Sequence, residues 1–298
     1  MEDKVYEKYK LAGKIAAEAR EYGADLLKPG VSFFDVANKV ESKILADGAR
    51  LAFPVNISIN EIAAHYSPRH NDTLVFKKGD VVKLDIGAHI DGYIADTALT
   101  VEVGTNDYED MIKASSDGLD SAVSHIKPGI NLAQVGKFVE ETINSYGFKP
   151  IDNLTGHSME KYLLHAGISV PSIPNMIHND KPKVDDVLAI EPFATNGAGH
   201  VISGQGSNIY ICKESNPRLM RDRKIKMMFD KTKNEFKTLP FAQRWFEKLF
   251  PNSDMSLKKM IFSGLVSQYP QLIDAKRGIV TQKEHTVIVT EKGCEVIT

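Results

Sequence analysis

The stretch LDIGAHIDGYIADTALT, residues 84–100, places Asp91-Gly92 between two strand-like runs. A two-residue Asp-Gly connection is a strong hairpin signal, because both positions must take positive φ to match the twist of the flanking strands. Pairing about that turn sets Asp85 opposite Ala98, so Asp96 becomes the same-face diagonal neighbour of Asp85, about 7–8 Å away between Cα atoms. Both carboxylates then reach one point. Two buried like charges that close raise each other's pKa and destabilise the fold unless a cation sits between them.

Outward from the hairpin, the chain repeats itself. KPGVSFFDVANKVESKI, residues 28–44, recurs 99 positions on as KPGINLAQVGKFVEETI, residues 127–143. Each copy has a Pro-Gly turn and then Ser32 or Asn131 as helix N-cap, with Asp35 or Gln134 three residues later in a capping-box arrangement. Apolar residues follow at helical spacing. The repeat argues for internal duplication of a helix-helix-strand unit with a pseudo-twofold relation.

The duplication reaches the acids. At an offset of 106, GDVVKLD (79–85) lies on DDVLAIE (185–191), which places Asp85 and Glu191 at the ends of equivalent apolar strands. Asp96 opens DTALTV and Glu284 opens EHTVIV, two further strand-like runs. Each half therefore donates two carboxylates, expected to meet near the axis. His157, read as lying in a Gly-flanked loop in TGHSMEKYLLHAG, breaks the symmetry.

A lone Asp at a strand end is most often a cap or turn residue, and the joint pattern is what carries weight. Oxygen-rich ligation with one imidazole and no thiolate favours Mn, Fe or Co, with Zn possible, over calcium. Two such metals about 3.5–4 Å apart, bridged by carboxylates, form the apparatus of amide hydrolysis. There is no Gly-x-Ser-x-Gly elbow, no Walker loop and no dinucleotide fingerprint after a strand. His65, after the strand-like NEIAA, and His165 are the other imidazoles placed to donate to a substrate carbonyl or oxyanion. His70, His89, His125, His178, His200 and His285 read as surface or structural histidines.

Composition fits this reading without selecting it. The 298 residues are 42% hydrophobic and 26% charged, with a net charge of -2, so no global field draws the chain to nucleic acid or anionic lipid. No apolar run approaches the roughly 20 residues that span a bilayer, and the charged, helical start is unlike a signal peptide. Cys212 and Cys294 lack metal-type spacing and suit a reducing, cytoplasmic compartment as idle thiols. Residues 214–272 change character and read as a helical subdomain, with helical spacing in Phe241, Trp245, Phe246, Leu249 and in Leu257, Met260, Ile261, Leu265. Its first part, 218–237, carries eight Lys or Arg residues, read as a solvated face or as a contact for an anionic partner such as ribosomal RNA.

Five stretches together, NEIAAHYSP, VVKLDIGAHIDGYIADTALTV, NLTGHSMEKYLLHAG, VLAIEPFAT and QKEHTVIVT, resemble the type II methionine aminopeptidases in order and spacing, over essentially the whole chain. The resemblance implies an α+β pita-bread fold, with helix-helix-strand repeats around a curved antiparallel sheet. It implies one catalytic domain, with halves of about 1–105 and 106–298 and the 214–272 insertion inside the second. It implies two divalent metals, Co, Mn, Fe or Zn. Asp85 would chelate one, Asp96 and Glu284 would bridge both, and His157 with Glu191 would complete the other. Glu191 would also act as base or proton shuttle for a metal-bridging hydroxide, His165 would assist the scissile carbonyl, and His65 would contact the substrate amide. Phe53, Leu164 and Tyr269 would wall a methionine pocket. The implied reaction is removal of the initiator methionine from nascent polypeptides with a small second residue. The implied setting is a cytoplasmic monomer, with transient ribosome contact possible and no membrane or DNA partner. The missing polybasic N-terminal arm points to an archaeal-type short form. Prolidases and X-Pro aminopeptidases share fold and ligands but usually carry a further N-terminal domain; nonenzymatic relatives have lost ligands that this chain keeps.

Overall fold

The computed structural model describes residues 1–174, 179–213 and 222–298, so His178 and the beginning of the basic stretch, Arg218 to Arg221, lie outside the described residues. The architecture is the α+β pita-bread fold, with antiparallel strands curled around a site and helices packed on their outer face. In the first half, helices Asp3–Asp25 and Phe33–Ala46 cover the strand pair Val81–Ile90 and Tyr93–Glu102. In the second, helices Glu109–His125 and Leu132–Ser145 cover Thr155–Ser158, Val187–Ile190 and His285–Val289.

The two repeat helices begin and end 99 residues apart, 33–46 against 132–145. Ser32 Oγ accepts from the N–H of Asp35, and Asn131 Oδ1 from that of Ala133, so each cap satisfies a donor that the first turn leaves free. Val36, Val40 and Ile44 of one helix, and Val135, Val139 and Ile143 of the other, form the buried stripes. Each such side chain contributes roughly 1.5–3 kcal/mol by leaving water.

The halves meet along one line. Ala98 bridges Glu284, whose N–H donates to Ala98 O. Thr286 Oγ1 accepts from Asp96 N–H and donates to Asp96 O, while Thr97 Oγ1 donates to Glu284 O. With Asp96 and Glu284 as equivalents, this antiparallel register puts Thr97 and His285 on the pseudo-twofold axis, with an acid on either side.

Asp91 and Gly92 have φ of 52° and 92°, the type I′ geometry that the hairpin required. The register is as expected, Asp85 opposite Ala98 and Gly87 opposite Asp96. Three local expectations need correction. Asp85 and Asp96 lie inside their strands, since the tight turn lets pairing run on to Ile90 and Tyr93. His157 is on the strand Thr155–Ser158, paired with Ala189, and not in a loop. Phe241 is in a short strand beside Tyr210, and Leu265 follows the helix Asp254–Phe262 past Gly264 at φ 70°. Apolar spacing of three or four residues does not separate a helix from a strand or turn packed into the same core.

That core also takes in Tyr210, on the strand Val201–Cys212. Phe229, Phe241, Phe246, Leu257 and Met260 pack together between the helices Arg223–Phe236, Gln243–Leu249 and Asp254–Phe262. Arg223, Lys224, Lys231 and Lys233 face solvent. Cys212 and Cys294 are free, half-buried thiols, pushed up to about 11 by burial. No helix among the described residues is long and apolar enough to cross a membrane.

Candidate active site

Asp85 stands on the central strand of the first half, flanked by Ala98 on one neighbour and Asn56 on the other. Asp96 lies across the hairpin, its backbone held on both sides by Thr286. Glu284 enters from the second half beside Ala98, with Gln282 Nε2 donating to its Oε2 at 3.2 Å. Glu191 follows directly on the strand Val187–Ile190. His157 completes the cluster, its Nε2 lying 3.7 Å from both Asp96 Oδ2 and Glu191 Oε1. One ligand atom each from Asp96, His157 and Glu284 falls within 4.8 Å of the others.

The electrostatics of this cluster are unfavourable on their own. Burial raises the Asp85 carboxyl to about 7. Burial, and then the charge of their neighbours, hold Asp96, Glu191 and Glu284 well above the ordinary carboxylate range. Burial, with His165 alongside, lowers His157 to about 3, so its ring is neutral and offers a lone pair. Oδ1 of Asp85 and Oδ1 of Asp96 are buried without a hydrogen-bond partner. Among the described residues no lysine or arginine forms an ion pair with any of the four acids. Buried acids without partners are costly. A divalent cation fits this donor set of carboxylate oxygens and one imidazole.

All ten residues named from the sequence line one pocket: Asp85, Asp96, His157, Glu191 and Glu284 with His65, His165, Phe53, Leu164 and Tyr269. His165 is exposed at its mouth, its ring centroid 4.3 Å from that of His157, and burial of its inner edge lowers its pKa. His65 meets Tyr269 edge-on at 5.3 Å, and its buried Nδ1 has no partner. Burial lowers it to about 4, which keeps the ring neutral. Its backbone is left-handed, φ 64°, a conformation that costs free energy and persists only where the surroundings impose it. Gly87 is required by the wall itself, because a Cβ there would come within 2.2 Å of the Phe53 ring.

Four further lining residues went unread: Asn56, Ala64, Ile209 and Pro240. Asn56 was within reach of the sequence, being one strand over from Asp85; Ile209 and Pro240 come from the second half and carry no local signal. Of the remaining histidines, His89 accepts from Gly92 N–H, His125 stacks on Phe138, and His200 pairs with Asp152 at 2.6 Å. A roomier open groove of about 590 Å³, lined by residues such as Lys127, Asn131 and Phe138, contains no carboxylate, so convergent chemistry and not volume identifies the site.

A curled sheet closing over buried acids and an imidazole is the build of a metal-dependent peptidase. Residues 7–291 match the profile of Metallopeptidase family M24, and the chain belongs to that family. It is 47% identical over 299 residues to a methionine aminopeptidase of Methanocaldococcus jannaschii, covering 100% of both chains. To that of Pyrococcus abyssi it is 46% identical over 289 residues, covering 96% of this chain and 97% of the other. Within the family the chain thus falls among the archaeal methionine aminopeptidases by sequence. Among solved structures, a methionine aminopeptidase from Thermotoga maritima superposes with a TM-score of 0.73 at 24% identity, covering 100% of this chain and 98% of that one. A prolidase from Pyrococcus furiosus gives 0.64 at 18%, covering 100% and 64%. These likenesses speak to the fold alone.

Proposed function

We propose that the protein removes the initiator methionine from nascent polypeptides whose second residue is small, using two divalent cations of the Mn, Fe, Co or Zn class. The observation that supports this most directly is the convergence of Asp85, Asp96, His157, Glu191 and Glu284 in one pocket with His65, His165 and an apolar wall. Asp85 would hold one cation, His157 and Glu191 the other, and Asp96 and Glu284 would span both. When bound, the cations supply the charge that makes water nucleophilic at neutral pH and polarises a carbonyl.

The chain's own groups carry the remaining tasks. The Glu191 carboxylate would take the proton of the attacking water and return it to the leaving amine. His165, open to the mouth, would donate its N–H to the scissile carbonyl oxygen as negative charge develops there. His65, which lines the pocket with its Nδ1 unpartnered, would contact the substrate amide. Phe53, Leu164 and Tyr269 would bury the methionine side chain and meet its sulfur edge-on. In the same reading the chain is one catalytic domain, with halves of about 1–105 and 106–298 and an insertion over 214–272. It works as a monomer in the cytoplasm, with no membrane or DNA partner, and the basic face of the helix Arg223–Phe236 offers a transient ribosome contact.

Incubation of the purified protein with Met-Ala-Ser and added Co(II) or Mn(II), following free methionine, tests the reading. Turnover of this peptide, with none of an X-Pro peptide, is expected. Failure with every metal would reject it.

A further inference from the structure

Glu41 lies on the helix Phe33–Ala46 with its carboxylate buried, although it is far from the ligand cluster in sequence. Its Oε1 accepts from the guanidinium of Arg244 and from Val55 N–H at 3.2 Å, and its Oε2 from Trp245 Nε1–H at 2.9 Å. Arg244, itself 5% exposed, donates onward to Ser67 Oγ at 2.7 Å and to Pro68 O at 2.9 Å. Ser67 Oγ donates to Val55 O, closing the base of the 55–67 segment, where Ile57 N–H also donates to Tyr66 O. Finally Ser67 N–H donates to Ser207 O, and Asn208 Nδ2 donates to Ser67 O.

Every segment that the Glu41 helix ties together in this network carries a residue of the pocket's non-ligand wall. Val55 lies between Phe53 and Asn56, Ser67 two residues after His65, Asn208 next to Ile209, and Arg244 four residues after Pro240. The ligand-bearing strands are not part of it. The repeat supplies an internal control. Glu140 is the equivalent of Glu41 in the second copy, yet it is half-exposed and forms no ion pair or side-chain hydrogen bond with a described residue. The inward, fully engaged glutamate occurs only in the copy that faces the insertion.

We infer that the buried Glu41–Arg244–Trp245 clasp is a positioning unit for substrate binding: it docks the insertion onto the 53–67 segment and sets the distance between the Phe53, Asn56 and His65 wall and the metal ligands. The strained backbone of His65 is held by this clasp. The inference rests on the function proposed above for its kinetic form. Because the clasp touches no ligand, its loss weakens substrate and transition state alike, which raises KM and spares kcat.

The test compares wild type, Trp245→Phe, Glu41→Gln, Arg244→Met and the double variant Glu41→Gln/Arg244→Met. The measurements are kcat and KM for Met-Ala-Ser with Mn(II), metal content, and the rate at which diethyl pyrocarbonate acylates His65, read by peptide mass spectrometry. Trp245→Phe, which removes one donor and keeps the shape, is expected to raise KM about threefold, and Glu41→Gln about tenfold. In both, kcat and metal content stay at wild-type levels and His65 acylates faster. In the Arg244→Met background the further effect of Glu41→Gln should shrink, since no buried charge is then left unpaired. Unchanged KM and unchanged acylation in Trp245→Phe and Glu41→Gln, with or without a lower Tm, would reduce the clasp to a structural strut and overturn the inference. Trp245→Phe alone decides the matter where Glu41→Gln fails to fold. A wild type that leaves Met-Ala-Ser intact defeats the proposed function, and the acylation rates then decide the clasp by themselves.

Discussion

The strand bearing Asp85 reaches the strand bearing Asp96 through two residues, whereas the strand before Glu191 reaches Glu284 only after residues 192–283. The scaffold on either side is alike but not identical. Antiparallel strand pairs lie under repeat helices of equal length in both halves, yet Ile190 pairs with His285 where its repeat equivalent Leu84 pairs with Leu99, a register two residues apart from that of Thr97. The first half closes its hairpin at once and contributes two of the clustered carboxylates and one wall. The second half opens the equivalent connection and inserts residues there, among them Ile209, Pro240 and Tyr269, which supply the facing wall. A further difference lies inside the strands. Ser58 pairs with Lys83 where His157 pairs with Ala189, so a duplicated frame brings the cluster its imidazole from one side only.

The strongest way to break this comparison is at the axis. Asp96→Asn removes a charge shared by both halves and should abolish turnover and metal binding together; a variant with full metal content and normal rates would contradict the shared role. His157→Ser gives the second half the residue of the first. It should lower metal content and cut turnover by more than about 100-fold, beyond what loss of an outer-shell partner costs, as measured by metal analysis beside the tripeptide assay. His165→Ala leaves the acids intact and should cost roughly 10²–10³ in turnover at unchanged metal content, the scale of one lost oxyanion donor. Equal rates would take His165 out of the reaction.

The smallest effect expected is a pH dependence of the metal-free protein. Acids whose folded pKa is raised bind more protons folded than unfolded, so their stabilisation is complete below the unfolded value and is lost as pH climbs through the folded one. For Asp85 that window runs from 3.8 to about 7, and Asp96, Glu191 and Glu284, also raised by burial and by one another, act in the same direction. The lowered histidines His65 and His157 act oppositely, adding stability as pH rises from about 4 and about 3, respectively, to their ordinary 6.5. Above about 6.5 these histidines no longer contribute, and the burial-lowered lysines Lys83 and Lys283 oppose the four acids. The Tm of metal-stripped protein should therefore fall between about pH 6.5 and 8, and added Mn(II) should raise it more at pH 8 than at pH 6.5. A Tm that rises over this interval without metal would show that the four acids are not mutually strained.

What was legible in the sequence was whatever short-range physics controls. The Asp91-Gly92 turn sets the register of the hairpin and hence the shared face of Asp85 and Asp96, because side chains alternate along a strand. The caps Ser32 and Asn131 and the spacing behind them set two helices, and the repeat tied Glu191 and Glu284 to the first pair of acids. Tertiary structure alone decided that His157 lies on a strand, that Ile209 and Pro240 join the wall, and that Glu41 turns inward while Glu140 does not. Those outcomes depend on contacts between segments as far apart as 203 residues, Glu41 to Arg244. No local pattern encodes them, because burying a charge is tolerable only where a distant partner arrives to meet it.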